Sequence, residues 1–363
     1  MFFKGKLKYI FSVLIVFIII YIFIGSFPLG EDVYLTPEWA LDISDNDNLC
    51  IDTETGFENP DLKLKPFILK DSFGYFTEEG RILKKERNGK NVSISSDWMA
   101  VYGEKNLSTQ VYSPDGKQSF KIDEAGFVHI DKNRIYLFVH GGNSVCEYDS
   151  KGNRLWKYSH TAPITAFNST SAGTVIGYSD GMLRYIDKDG NKIFDMYPGG
   201  SNFEVILGAS VSEDGKTVAC ICGIEKQRVL LININGSQHK IIYHHYLKNN
   251  LRKQAFIDFD SGGRFIVFEY ADGIGILDSK TYTCSFIDEQ GSIIGIGIDK
   301  NQSILNILIQ NEKKCSILFV DTPGFFIGKT SFDAENTFLI QEDDKIYIGA
   351  DNKILYCKIR GLR

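Results

Sequence analysis

The chain has 363 residues, 43% of them hydrophobic and 13% aromatic, which is ample for a large core and excludes global disorder. A net charge of −6 lacks the basic footprint a nucleic-acid binder needs to displace phosphate counterions. The 34 glycines against 8 prolines suit many tight turns, and beyond the N-terminus no long stretch has the i, i+3, i+4 spacing of an amphipathic helix.

Residues 1–8 carry Lys4, Lys6 and Lys8 and read as a cytoplasmic tail. Residues 9–30 hold no charge, and as a helix they would extend about 33 Å at ~1.5 Å per residue, enough for the bilayer hydrocarbon. Positive residues before this span, and Glu31, Asp32, Glu38 and Asp42 after it, orient the N-terminus inward. The expectation is an uncleaved signal anchor: one transmembrane helix in the cytoplasmic (inner) membrane, with the C-terminal domain outside the cytoplasm. A cleaved signal peptide is the competing reading. Residues 31–65 are acidic, contain Pro37 and Pro60, and read as a linker with candidate strands at 33–35 and 49–51.

Residues 66–363 carry a repeated β unit. In 144–158, alternating residues (Val145 and Glu147 against Cys146 and Tyr148) predict a strand, Asp149-Ser150-Lys151-Gly152 a tight turn, and 153–158 a second strand. The same hairpin recurs at 73–86, 110–122 and 182–196, with weaker copies around Gly236, Lys280 and Gly324. Gly80, Gly116, Gly152, Gly190 and Gly236 fall 36, 36, 38 and 46 residues apart, against roughly 40–45 residues for a four-stranded propeller blade. The predicted fold is all-β: an eight-bladed β-propeller of four-stranded antiparallel blades, with seven blades as the alternative. The last unit supplies only three strands, so 33–35 is the predicted outer strand that completes it and covers an edge. Residues 49–51 would then open the first blade, followed by 66–69, 73–76 and 81–85.

The motif Asp149-Ser-Lys-Gly152-Asn-Arg-Leu-Trp156 resembles the turn-and-tryptophan signature of PQQ-like propeller repeats. Asp187-Lys-Asp-Gly190-Asn-Lys-Ile-Phe194 is similar, with Phe in place of Trp. The likeness runs loosely from about residue 66 to 360 and implies architecture rather than function. Trp156 is the only tryptophan in such a position, and the Trp-Asp dipeptide of WD40-like repeats is absent. PQQ-like propellers include quinone-dependent dehydrogenases, which are considerably larger and use a calcium-and-quinone site not found in this sequence. They also include a lipid-anchored envelope scaffold of similar size that assists outer-membrane protein insertion. No functional residue carries over from either, and no cofactor is expected.

The seven cysteines read as small buried hydrophobes. Cys220 and Cys222 share one strand face, too close together for tetrahedral metal closure without other ligands. The six histidines have no i, i+4 pair, and Asp115, Asp149, Asp187, Asp214 and Asp272 sit in turns whose backbone they can bond. No catalytic or metal set emerges. The most basic and aromatic stretch beyond the N-terminus is 243–254, YHHYLKNNLRKQ, read as an inter-blade loop. Tyr243, His245, Tyr246, Lys248 and Arg252 are its candidate partner-binding residues. The sequence therefore favours a membrane-anchored, extracytoplasmic propeller that scaffolds a protein or envelope component. The alternative is an enzyme or small-ligand-binding ectodomain whose residues converge at the central channel.

Overall fold

The repeated hairpin turn is built the same way each time. In the third repeat Asp149 accepts the backbone N–H groups of Lys151 and Asn153 and the side-chain amide of Asn153. In the fourth, Asp187 does the same with Asp189 and Asn191. These bonds favour the charged carboxylate of Asp149, which lies below its usual range chiefly through Asn153.

The computed structural model describes residues 13–21, 33–44, 63–87, 91–103, 107–301 and 303–361. After β1 (Tyr34–Asp42), the first blade holds β2 (Lys65–Leu69), β3 (Ser72–Phe76) and β4 (Ile82–Arg87). The second holds β5 (Asn91–Ile94), β6 (Met99–Tyr102), β7 (Thr109–Tyr112) and β8 (Gln118–Ile122). The third holds β9 (Gly126–Asp131), β10 (Arg134–Val139), β11 (Ser144–Tyr148) and β12 (Arg154–Ser159). In the fourth are β13 (Ile164–Thr170), β14 (Gly173–Tyr178), β15 (Leu183–Asp187) and β16 (Lys192–Met196). The fifth comprises β17 (Ile206–Val211), β18 (Thr217–Cys222), β19 (Arg228–Asn235) and β20 (Gln238–Tyr246). The sixth comprises β21 (Ile257–Phe259), β22 (Phe265–Tyr270), β23 (Gly273–Asp278) and β24 (Cys284–Ile287). In the seventh are β25 (Ser292–Ile298), β26 (Ile304–Asn311), β27 (Lys314–Asp321) and β28 (Phe325–Asp333). The eighth joins β29 (Thr337–Glu342), β30 (Lys345–Ala350) and β31 (Lys353–Arg360) to β1.

First strands lie against first strands, β13 on β17 and β25 on β29, so they ring a central axis. Middle strands such as β11 and β14 are buried throughout, whereas the last strands β12 and β20 alternate between exposed and half-buried residues. Eight blades therefore surround one channel. The first blade has three strands among the described residues. Its β3–β4 turn matches the last hairpin of the other blades, so the strand lacking is the innermost, and the predicted piece 49–51 lies outside the described residues.

The apolar cores lie between blades rather than within them. Leu183, Tyr185 and Phe194 of blade 4 pack on Ile206, Val218 and Leu230 of blade 5, and the pattern repeats at the other interfaces. Three outer strands also lay an aromatic ring on the next blade's turn glycine: Trp39 on Gly80, Phe120 on Gly152, Trp156 on Gly190. Gly190 has φ +84°, and a Cβ there would come within 2.5 Å of Trp156 Cδ1, so both backbone and space require glycine.

Closure follows the predicted route. β1 runs antiparallel to β31, from Tyr34 opposite Arg360 to Asp42 opposite Lys353, with a bulge between Pro37 and Trp39. Trp39 sits among Phe76, Tyr347 and Tyr356 at ring distances of 6.4, 6.1 and 5.8 Å, and its Nε1 donates to Glu78 O at 3.1 Å. Beside it, fully buried Lys65 pairs with Glu342 at 2.7 Å and lies 4.8 Å above the Tyr347 ring. One strand from the start of the chain and one charge from blade 1 thus lock blade 8 to blade 1.

The expected membrane span is corrected. Among the described residues, helix in that region covers 13–21, about 14 Å at ~1.5 Å per residue, less than half of the ~30 Å hydrocarbon core. Among the described residues no helix is long and apolar enough to cross a membrane, which overturns the single-pass inner-membrane placement and the membrane link. The remainder of 9–30 lies outside the described residues. In 13–21, VLIVFIIIY, most residues are β-branched, a type that restricts χ1 and lowers helix propensity.

Replacing Trp39 by Ala is expected to lower unfolding free energy by roughly 2–4 kcal/mol, read as a lower urea midpoint. Gly190→Ala is expected to cost about 1–3 kcal/mol, and less in a Trp156→Ala background, where only the backbone strain remains. Equal costs in the two backgrounds would show that the ring does not press on the turn.

Candidate functional site

Two places gather chemistry: the outer rim of blade 5 and one mouth of the channel. From Lys226 to Ile257 the chain has no Asp or Glu but carries Lys226, Arg228, Lys240, Lys248, Arg252 and Lys253, in a protein of net charge −6. The five predicted partner residues fall here, though not all in a loop. Tyr243, His245 and Tyr246 belong to β20, and only Lys248 and Arg252 lie in the connection that follows.

A bulge sorts these side chains. Leu231 pairs with Tyr243 and Ile232 with Ile241, which leaves Ile242 unpaired and switches the strand's facing. Before the bulge, His239 stacks on Phe194 of blade 4 at 4.6 Å. After it, Tyr243 stacks flat on Tyr282 of blade 6 (5.7 Å, 8°) and His245 packs on Phe286 at 5.4 Å. Tyr243 and His245 therefore knit blades, and burial raises the Tyr243 hydroxyl above its usual range. Tyr246, Lys248 and Arg252 are exposed, and Tyr246 and Lys248 border an open depression with Lys226, Leu247 and Asn250.

The depression is held in shape from below. Buried Gln227 donates through Nε2 to Gly223 O and Leu251 O, both at 3.0 Å, and its Oε1 accepts from Leu251 N at 3.1 Å. Asn249 donates to both carboxylate oxygens of Asp272 at 2.8 and 2.7 Å. Asp272 thus departs from the other turn aspartates by anchoring a neighbouring connection.

The channel mouth is a cavity of about 260 Å³ to which six blades contribute. Asp131 and Lys132 come from blade 3, Asn168, Ser169 and Thr170 from blade 4, Glu213 from blade 5, Asp258 and Asp260 from blade 6, Gly297 from blade 7 and Gln341 from blade 8. Asp258 Oδ1 accepts from Ser210 Oγ at 2.7 Å, from Phe259 N at 2.9 Å and from Asn168 Nδ2 at 3.5 Å. Ser169 Oγ donates to Asp131, Lys132 pairs with Glu213, and Asp260 is spent on its turn through Gly262 N and Phe265 N. Burial, with the nearby Asp131 charge adding to it, raises the Asp258 carboxyl above its usual range. Sequence reasoning missed this set because no two blades' contributions are neighbours in the chain. The one available signal was positional, polar residues recurring where first strands end.

The histidines stay apart. His129 is walled by Tyr136, Phe138 and Phe167, where burial lowers it below its usual range, and His160 contacts Asp180 at 2.6 Å. Among the described residues no three His, Cys, Asp or Glu side chains converge as a metal set.

The family model for a beta-propeller protein matches residues 1–363. An uncharacterized protein of Treponema pallidum (strain Nichols) is 36% identical over 369 residues, covering 99% of this chain and 96% of its own. Among solved structures, BamB from Moraxella catarrhalis is similar with a TM-score of 0.60 at 10% identity, over 90% of this chain and all of that one. The computationally designed Ika8 protein is similar with a TM-score of 0.59 at 14% identity, over 83% of this chain and 98% of its own. Likeness at such identities carries the fold alone. The full-length family match and the 36% identical relative place the chain in the beta-propeller protein family.

Proposed function

We propose that this propeller is a non-catalytic scaffold that binds a partner protein, and that an acidic surface of the partner docks on the rim of blade 5. The observation that carries the reading is the charge of that rim. Residues 226–257 hold six Lys or Arg and no Asp or Glu, in an otherwise acidic chain. Exposed Tyr246 supplies an aromatic contact beside Lys248 and Arg252, a combination favoured at protein interfaces. The Gln227 clamp holds the backbone of the patch in place before binding, which lowers the ordering cost of association.

The test is photocrosslinking from position 246 in cells, followed by affinity measurement with the identified partner. Lys248→Glu with Arg252→Glu is expected to weaken binding at least about tenfold, with wild-type binding falling as salt rises. The same reversal at exposed Lys151 and Lys188, on blades 3 and 4, is expected to leave binding unchanged. Equal losses from both pairs would discard the rim assignment.

A second reading is favoured by the channel mouth, where Asp131 and Asp258 face one cavity and would suit a small cationic ligand. Its first check is the charge state of Asp258. Because the folded-state value is raised, the fold favours the neutral form more than the unfolded chain does. The resulting stability is complete below the unfolded value of 3.8 and is lost as pH rises through the folded value. Asp258→Asn is therefore expected to melt higher than wild type at pH 7, on the order of 2 °C, with the gap closing as pH falls toward 3.8.

A further inference from the structure

We propose that the outer edge of β24 takes up an extended segment of the partner protein as a fifth strand of blade 6, paired backbone to backbone. The choice of occupant rests on the reading of the blade 5 rim as the place where an acidic partner docks.

A sheet edge offers unpaired N–H and C=O groups, and proteins guard it with charged residues, prolines or bulges. The outer strands here are β4, β8, β12, β16, β20, β24, β28 and β1. Seven of them carry at least one Lys, Arg, Asp or Glu together with a register shift against the strand they pair with. β24, with the sequence CSFI, has neither and holds no proline. The cause lies in its turn. In blades 3 and 4 the bulge adjoins the Asp-x-x-Gly turn. Blade 6 replaces that turn by 278–283, where Tyr282 N donates to Asp278 O at 2.8 Å and Tyr282 takes φ +58°. This conformation is unfavourable for a bulky side chain, and the flat stack on Tyr243 holds it.

The edge is set up for pairing. Thr283 O accepts from Asp278 N at 3.0 Å, so along the antiparallel ladder Ser285 and Ile287 turn their backbone groups toward β23. Cys284 and Phe286 turn theirs outward, at the alternation an added strand requires. Apolar side chains border this edge on both sides. Phe286, packed on His245 of blade 5, is 43% exposed, and exposed Phe325 and Phe326 of blade 7 follow Gly324, which sits against Ser285.

Charge selects the occupant. β20 and β24 run in the same direction and end on one face, so an antiparallel added strand begins beside exposed Lys248 and Arg252. Glu289 is held there by Lys329 at 2.9 Å, which leaves Asp288 against two cations and favours an acidic N-terminal end on the added strand. Pairing with a second copy is disfavoured, because a twofold antiparallel pair would set these cations against the other copy's exposed Lys280.

The probe is a fluorescent peptide of two glutamates followed by alternating Val and Thr, titrated into the full-length protein by anisotropy. Saturable binding is expected, and it is lost when alternate peptide residues are N-methylated. Phe286→Lys, which installs the charge that other edges carry, is expected to weaken binding at least about tenfold, whereas Leu155→Lys on β12 leaves it unchanged. Amide exchange of the wild-type complex needs no variant to fold: Cys284 and Phe286 are expected to slow on binding. No binding, equal binding by the N-methylated peptide, or unchanged exchange at these two amides overturns strand addition. Lys248→Glu with Arg252→Glu is expected to weaken the peptide about tenfold. Slowed exchange with no effect of that reversal leaves strand addition standing and strikes the rim reading. Self-association of the free protein that Phe286→Lys abolishes would give the edge to a second copy and overturn the proposal.

Discussion

Apolar burial in this molecule is shared across blade boundaries, so the ring has to close. Each sheet presents two apolar faces, and each face finds its partner on the next blade, as Phe194 of blade 4 does on Ile232 of blade 5. A chain of such units leaves two open faces unless its ends meet. The meeting point is where β1 joins β31 and where Trp39, Lys65 and Tyr347 converge. The stability of every interior blade therefore leans on a contact between the two ends of the chain.

That closed frame gives the loops and strand ends fixed positions. Turn aspartates spend their hydrogen bonds on local backbone, and Gly80, Gly152 and Gly190 accept rings from the preceding blade, so these hairpins repeat with little variation. Departures from the pattern mark the places with other capacities. Asp272 holds a neighbouring connection, the bulge at Ile242 switches the facing of β20, and Asp258 places a carboxylate in the channel wall.

The repeat could be read from residues because its signals are local. A hairpin needs alternation on both sides and a turn residue between, all within about fifteen positions. Even the closing strand was accessible, since a count of three strands at the C-terminus demands a fourth and 33–35 was the apolar piece left over. The rim was half legible. Its charge shows in the sequence, and alternation separates Tyr243 and His245 from Tyr246, but which set turns toward blade 6 depends on a one-residue bulge that composition does not encode. Hydropathy reached less far at 13–21. Apolar side chains state what would tolerate lipid, and they do not by themselves place a span in a membrane.

The sequence by itself determined the all-β repeat, the spacing of its turns, the route of closure and the basic character of 226–257. Each of these is set by neighbours in the chain or by a simple count. Tertiary structure decided which side chains meet. The channel mouth joins six blades, Lys65 finds Glu342 across the closure, and Trp156 lies on Gly190. Those encounters come from wrapping the repeats around an axis, which brings together residues that are tens or hundreds of positions apart, and no local pattern records that distance.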